Sequence, residues 1–192
     1  MKQLEVRLTT GANLHVEAPA RTQARSGPVL RGYAAVFNSL SHDLGGFRER
    51  IRPGAFADSL ARREVLGLYA HDHTALLGRT KTGSLRLSED AHGLLFELHP
   101  PKTQLGADIV ELVRSGELTS MSFGFVVMPE GDDWRRERGH TIRILTRVEL
   151  HEISIVPQPA YEATSIAVRA VLDRAIADEL ATRRRRLDAL TA

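Results

Sequence analysis

Leu118-Thr119-Ser120-Met121-Ser122-Phe123-Gly124-Phe125-Val126-Val127 reads as a β-strand, because apolar and β-branched residues dominate it and alternate at a period of two. Met121, Phe123, Phe125 and Val127 share one face, and Ser120, Ser122, Gly124 and Val126 share the other. Large side chains on the first face suit a core. The second face offers two hydroxyls and a bare backbone. A glycine inside a strand weakens it and often marks the close approach of a ligand or another backbone. Ser120 and Ser122 are therefore candidate nucleophiles, and Gly124 a candidate cleft residue, if the chain supplies a base.

Strands dominate on both sides of this segment. Leu4, Val6 and Leu8 alternate ahead of a Gly11-Ala12-Asn13 turn, and residues 18–28 lack periodicity and read as a linker. Val29–Phe37, Phe47–Ile51, Val65–Ala70, Ser84–Leu87 and Gly93–Leu98 read as strands, the last two joined by the turn-rich Glu89–His92. Pro53 opens a short helix in which Phe56 and Leu60 stand four apart. Thr103–Arg114 is a second helix, with Thr103 as N-cap, an apolar stripe of Leu105, Ile109, Leu112 and Val113, and Gly116 just past its end. Pro129–His140 reads as a charged loop, followed by strands at Thr141–Leu145 and Val148–Val156. Residues 166–190 form a long amphipathic helix that ends near Arg183-Arg184-Arg185-Arg186, read as a solvated face. The sum is roughly eight to ten strands and two or three helices, with strands mostly following strands. That pattern predicts an α+β, β-rich fold, a mostly antiparallel β-barrel or strongly bent sheet with helices packed outside.

Composition narrows the function classes. Of 192 residues, 42% are hydrophobic and 26% charged, as in an ordinary globular chain. The net charge of +2 comes from 26 basic and 24 acidic residues, which gives no case for specific nucleic-acid binding. No run of about 18 apolar residues predicts a membrane span, and Met1–Arg7 lacks the apolar core of a secretory signal. The absence of cysteine excludes disulfides, thiolate metal sites and a cysteine nucleophile.

A serine nucleophile needs a base, usually histidine, and a third group that orients the base. His71 ends an apolar strand where a rigid element meets a loop, and is the best base on offer. His73 lies two residues on, so His71-Asp72-His73 also reads as half of a metal site, or as two surface histidines. The third group is sought in Val148–Val156, which carries His151 and Glu152 inside an apolar run. Strict alternation puts Glu152 with Val148, Leu150, Ser154 and Val156, and His151 with Ile153 and Ile155. A solvated Glu152 on an exposed sheet face is the competing reading. Arg79 and Arg147 are candidates to assist an oxyanion hole.

Several stretches stand in an order that resembles one family. They are Gly32–Asn38, Ile51–Phe56, His71-Asp72 with Leu77–Thr80, Gly93–Phe96, Ser122-Phe123-Gly124-Phe125, and Leu150–Val156 leading to Pro159-Ala160-Tyr161. Over about residues 29–169 they resemble the prohead maturation proteases of tailed phages, which are similar to the assemblin-type proteases of herpesviruses. The resemblance implies a serine endopeptidase on a herpesvirus-protease-like barrel, without cofactor or metal. It would cut the major capsid protein precursor and scaffold segments inside the procapsid, in the host cytoplasm. Carried over by position, Ser122 is the nucleophile, His71 the general base and Glu152 the orienting acid, with Ser120 and Gly124 lining the cleft. The herpesvirus relatives use a second histidine, which keeps His151 open as the third member. Residues 1–28 are then an N-terminal extension, 29–169 the protease domain and 170–192 a C-terminal amphipathic helix. The extensions are expected to serve packaging or self-cleavage, and the helix to dock on the capsid precursor or on a second copy in a homodimer. The rival reading is a non-catalytic scaffold or capsid-assembly protein on the same fold.

Overall fold

Short alternating segments become twelve strands among the residues that the computed structural model describes, 3–9, 12–17 and 27–157. They are β1 (Glu5–Thr9), β2 (His15–Glu17), β3 (Val29–Val36), β4 (Arg48–Ile51), β5 (Leu66–Tyr69), β6 (Asp72–Arg79), β7 (Leu85–Glu89), β8 (Gly93–Leu98), β9 (Ser120–Val127), β10 (Asp132–Glu137), β11 (His140–Leu145) and β12 (Val148–Val156). The helices are α1 (Ala57–Arg62) and α2 (Gln104–Arg114), with one 3-10 turn at Thr80–Thr82. The helix expected at 166–190 lies outside the described residues, as do the expected linker residues 18–26.

The strands form a five-stranded sheet in the order β1-β9-β12-β5-β6, a four-stranded sheet β2-β3-β8-β7 and a three-stranded sheet β10-β11-β4. Pairing is antiparallel except for β12 with β5 and β11 with β4. The β-rich, mostly antiparallel expectation holds. No closed barrel is found among the described residues, whose ladders make three sheets with free edges.

Two strands stand where none was expected. β10 carries the charged run Asp132–Glu137 and pairs with β11 from Asp132↔Leu145 to Glu137↔His140. It is an edge strand with no apolar face to bury, so alternation gives no sign of it. β6 returns along β5 directly after His71. α1 begins later than Pro53, because Glu89 captures the preceding turn: its carboxylate accepts from the Gly54 and Phe56 N–H groups at 3.0 and 2.8 Å. α2 keeps its expected ends. Thr103 Oγ1 accepts from Gly106 N–H at 3.2 Å, and Gly116 takes the left-handed conformation just beyond, with φ +83°.

The core sits against the large face of β9. Phe123 stacks on Phe125 at 5.2 Å and meets Phe56 edge-on at 5.7 Å, and Phe56 lies 6.2 Å from Phe37. Each such pair adds about 0.5–1.5 kcal/mol beyond area burial. The aromatic row pins one face of β9, and so fixes what its other face presents.

Candidate active site

Glu152 reaches the small-residue face of β9 because β12 is bulged. Leu150 stands opposite Phe125, yet Glu152 stands opposite Gly124, which leaves His151 as the extra residue. Leu150, Ile153 and Ile155 therefore side with the core, while Glu152, Ser154 and Val156 side with Gly124, Ser122 and Ser120. The expected grouping of Glu152 with Leu150 is corrected by this shift of phase. A bulge unpairs ladder groups, and here the buried Ser59 of α1 accepts from Leu150 N–H at 2.8 Å. Glu152 is only 4% exposed. Its carboxylate fills the place of a side chain at position 124, since a Cβ on Gly124 would lie 2.4 Å from Glu152 Oε1. The glycine makes room for the acid.

His71 arrives by a tight reversal. Tyr69 pairs with Asp72, so Ala70 and His71 are the two central residues of a hairpin turn. Both have positive φ, +51° and +61°, as a type I′ turn demands. Neither is glycine, so the turn stores strain, and such strain persists where surrounding contacts hold it. Ala70 N–H donates to Ile155 O at 3.0 Å, and His71 N–H donates to Ser154 Oγ at 3.2 Å. The ring completes the hold: His71 Nδ1 lies 2.8 Å from Glu152 Oε1. An ionised carboxylate only accepts, so Nδ1 carries the proton and Nε2 is the basic nitrogen. Nε2 has no hydrogen-bond partner among the described residues. The His71 side chain is 32% exposed, so the pair is buried at its acid and open at its base.

Ser154 ties the pair together. It is wholly buried, accepts from the His71 backbone and donates to Glu152 Oε2 at 2.5 Å. Ser154 also stands directly opposite Ser122, and such residues have Cβ atoms about 5 Å apart. Ser122 is thus next to the residue that binds the His71 backbone. Ser122 is 2% exposed, and its hydroxyl nevertheless donates to the Arg7 carbonyl of β1 at 2.9 Å. No hydrogen bond joins Ser122 to His71.

His151 stands apart. Its Nδ1 accepts from Arg63 at 3.1 Å, and its Nε2 lies 2.9 Å from Glu149 Oε1 without hydrogen-bond geometry. Burial, then the Arg63 charge, holds its imidazole below the ordinary value. Arg79 pairs with Glu64, and Arg147 with the Pro129 carbonyl. Ser120 faces Val156 on the same side as Ser122. His73 lies on β6, and no group of three or more His, Asp or Glu that could hold a metal occurs among the described residues. Sequence reading missed Ser154, Ser59 and Arg7. Ser154 had a weak signal, a hydroxyl two residues beyond Glu152 in an apolar strand.

Ser122 thus shares a sheet face with the buried acid of the His71–Glu152 pair. The family described as caudovirus prohead serine protease matches residues 13–177, and the chain belongs to that family. In fold it is similar to the capsid assembly protease gp21 of bacteriophage T4, with a TM-score of 0.52 and 9% identity over 82% of this chain and 99% of that one. No curated protein matches the chain in sequence.

Proposed function

We propose that this chain is a serine endopeptidase of phage capsid maturation, with Ser122 as nucleophile, His71 as general base and Glu152 as orienting acid. The observation that carries the reading is the 2.8 Å His71 Nδ1–Glu152 Oε1 contact on the sheet face that also bears Ser122. With Nδ1–H held by the acid, Nε2 takes the Ser122 proton as Oγ attacks the scissile carbonyl. Glu152 stabilises the imidazolium so formed. His71 then returns the proton to the leaving amine, and water releases the acyl group by the same route in reverse.

Family membership supports the substrates: capsid precursor and scaffold segments inside the procapsid, in the host. Self-cleavage in the extensions and pairing with a second copy belong to the same proposal. Ser120 and Gly124 flank the nucleophile, and the geometry favours room for Glu152 as the role of Gly124.

Purified chain and capsid precursor test the reading. Ser122→Ala is expected to lower cleavage by at least about 10⁴-fold with the fold intact. Glu152→Gln should lower kcat by roughly 10³–10⁴-fold, and His151→Gln by no more than about threefold. Processing that survives Ser122→Ala removes the nucleophile assignment. A His151→Gln loss as deep as that of Glu152→Gln transfers the third role to His151. Shell assembly that needs precursor and chain, yet none of Ser122, His71 and Glu152, favours the scaffold alternative.

A further inference from the structure

We infer that β1 is an intramolecular pseudosubstrate: it fills the edge of β9 on which an extended polypeptide substrate adds as a strand, and Ser122 acts only once β1 has left. The inference rests on Ser122 being the nucleophile. β1 is the outermost strand of the five-stranded sheet, and β9 is its neighbour. The two pair antiparallel from Glu5↔Phe125 to Thr9↔Met121, which lays β1 directly along Ser122. Val6 stands opposite Gly124 and Leu8 opposite Ser122, so their side chains flank the candidate site as those of a bound peptide would. Leu8 is 42% exposed, so core burial does not explain it. Lifting β1 would bare a row of backbone N–H and C=O groups, the template on which extended peptides add.

The Ser122 contact makes β1 more than a neighbour. The Arg7 carbonyl accepts the Ser122 hydroxyl proton at 2.9 Å. A hydroxyl has one proton to donate, so while it serves Arg7 it cannot donate to His71. β1 thus presents a peptide carbonyl to the nucleophile and keeps the nucleophile from its base. The strand is held from its other face. Arg7 binds Glu49 through two contacts of 2.8 and 3.0 Å, Arg143 binds both Glu5 oxygens at 2.7 and 3.1 Å, and Thr9 Oγ1 donates to Ala34 O at 2.5 Å. The anchors are separate from the groups that face Ser122. β1 also precedes residues 13–177, on which the family match rests.

Three forms of the chain test this: unchanged, Arg7→Pro, and a deletion of residues 3–9. The Arg7 carbonyl faces β9, so the Arg7 N–H does too, and proline there removes a ladder N–H together with the side-chain anchor. Circular dichroism and thermal melting verify each fold. A fluorophosphonate, with its site located by mass spectrometry, is expected to label Ser122 at least about tenfold faster in the two altered forms, because reaction tracks the fraction of molecules that are open. A fluorescein-tagged peptide of residues 3–9 is expected to bind the deletion form, not the unchanged chain, and to slow its labelling. Equal Ser122 labelling rates in the folded forms overturn the inference, as does a folded deletion form that ignores the peptide. If the deletion form does not fold, Arg7→Pro against the unchanged chain carries the rate comparison. Peptide binding with label on another serine, or on none, overturns Ser122 as nucleophile instead and supports the strand-addition edge alone.

Discussion

Ser154 has no solvent exposure, and its hydroxyl serves both members of the His71–Glu152 pair. On the proposed mechanism it acts through them, as a positioning residue. A hydrogen bond to a charged group is worth about 1.5–3 kcal/mol, so Ser154→Ala is expected to lower kcat by roughly 10–100-fold with KM unchanged, read by steady-state kinetics. A merely structural loss would lower the active fraction and the melting temperature together. Gly124→Ala tests the same acid from the other side. Its methyl carbon would stand 2.4 Å from a buried carboxylate already bound at both oxygens. Overpacking of that kind costs about 1–3 kcal/mol, to be seen in urea unfolding, with activity falling at least as far as in Ser154→Ala. The proposed Ser122, His71 and Glu152 stood out in the sequence as types: hydroxyl, imidazole and carboxylate in or beside apolar strands. Ser154 gave only a weak signal and Ser59 none, because a small hydroxyl looks the same whether it bonds its own backbone or a distant partner.

At the scale of elements, a turn and a bulge do the aiming. The turn at Ala70-His71 requires positive φ twice, and Ala70 is exposed. Asparagine tolerates that conformation better than alanine. Ala70→Asn is therefore expected to stabilise the chain by about 0.5–1 kcal/mol, seen as a higher urea midpoint, with cleavage unchanged because the His71 contacts persist. The bulge explains why alternation misled. A period of two assumes an unbroken ladder, and one extra residue at His151 reverses the face of every residue from Glu152 onward relative to Leu150. What holds the bulge is α1, whose Ser59 accepts from the freed Leu150 N–H. β10 escaped notice for the converse reason: backbone pairing with β11 holds a strand whose side chains are mostly charged.

At the scale of the molecule, charge joins one sheet to another. Glu5 and Arg7 of β1 meet Glu49 of β4 and Arg143 of β11, and Asp132 of β10 completes the group. Burial alone would raise the Glu5 carboxyl. The hydrogen bond and charge of Arg143, with the charge of Arg7, outweigh it and hold Glu5 below the ordinary carboxylate range. A carboxyl lowered on folding stabilises fully above its unfolded value, about 4.3, and that contribution fades as pH falls through the lower folded value. Amide exchange in β1, corrected for intrinsic rates, is expected to quicken relative to α2 below about pH 4. Glu5→Gln should flatten that pH dependence. Neither this network nor the three-sheet plan was legible beforehand, since both depend on which distant strands become neighbours.

β12 is the last strand of the described body in sequence, yet it lies between β9 and β5 and carries both Glu152 and Ser154. The His71–Glu152 contact spans 81 positions. Contacts of such separation form late, after the intervening loop has closed. A growing polypeptide that has released β9 and the His71 turn from the ribosome, but not β12, holds the serine and the histidine without the acid. On the proposed mechanism, chemistry that needs all three waits for the end of β12, and a chain that stops before it is inert.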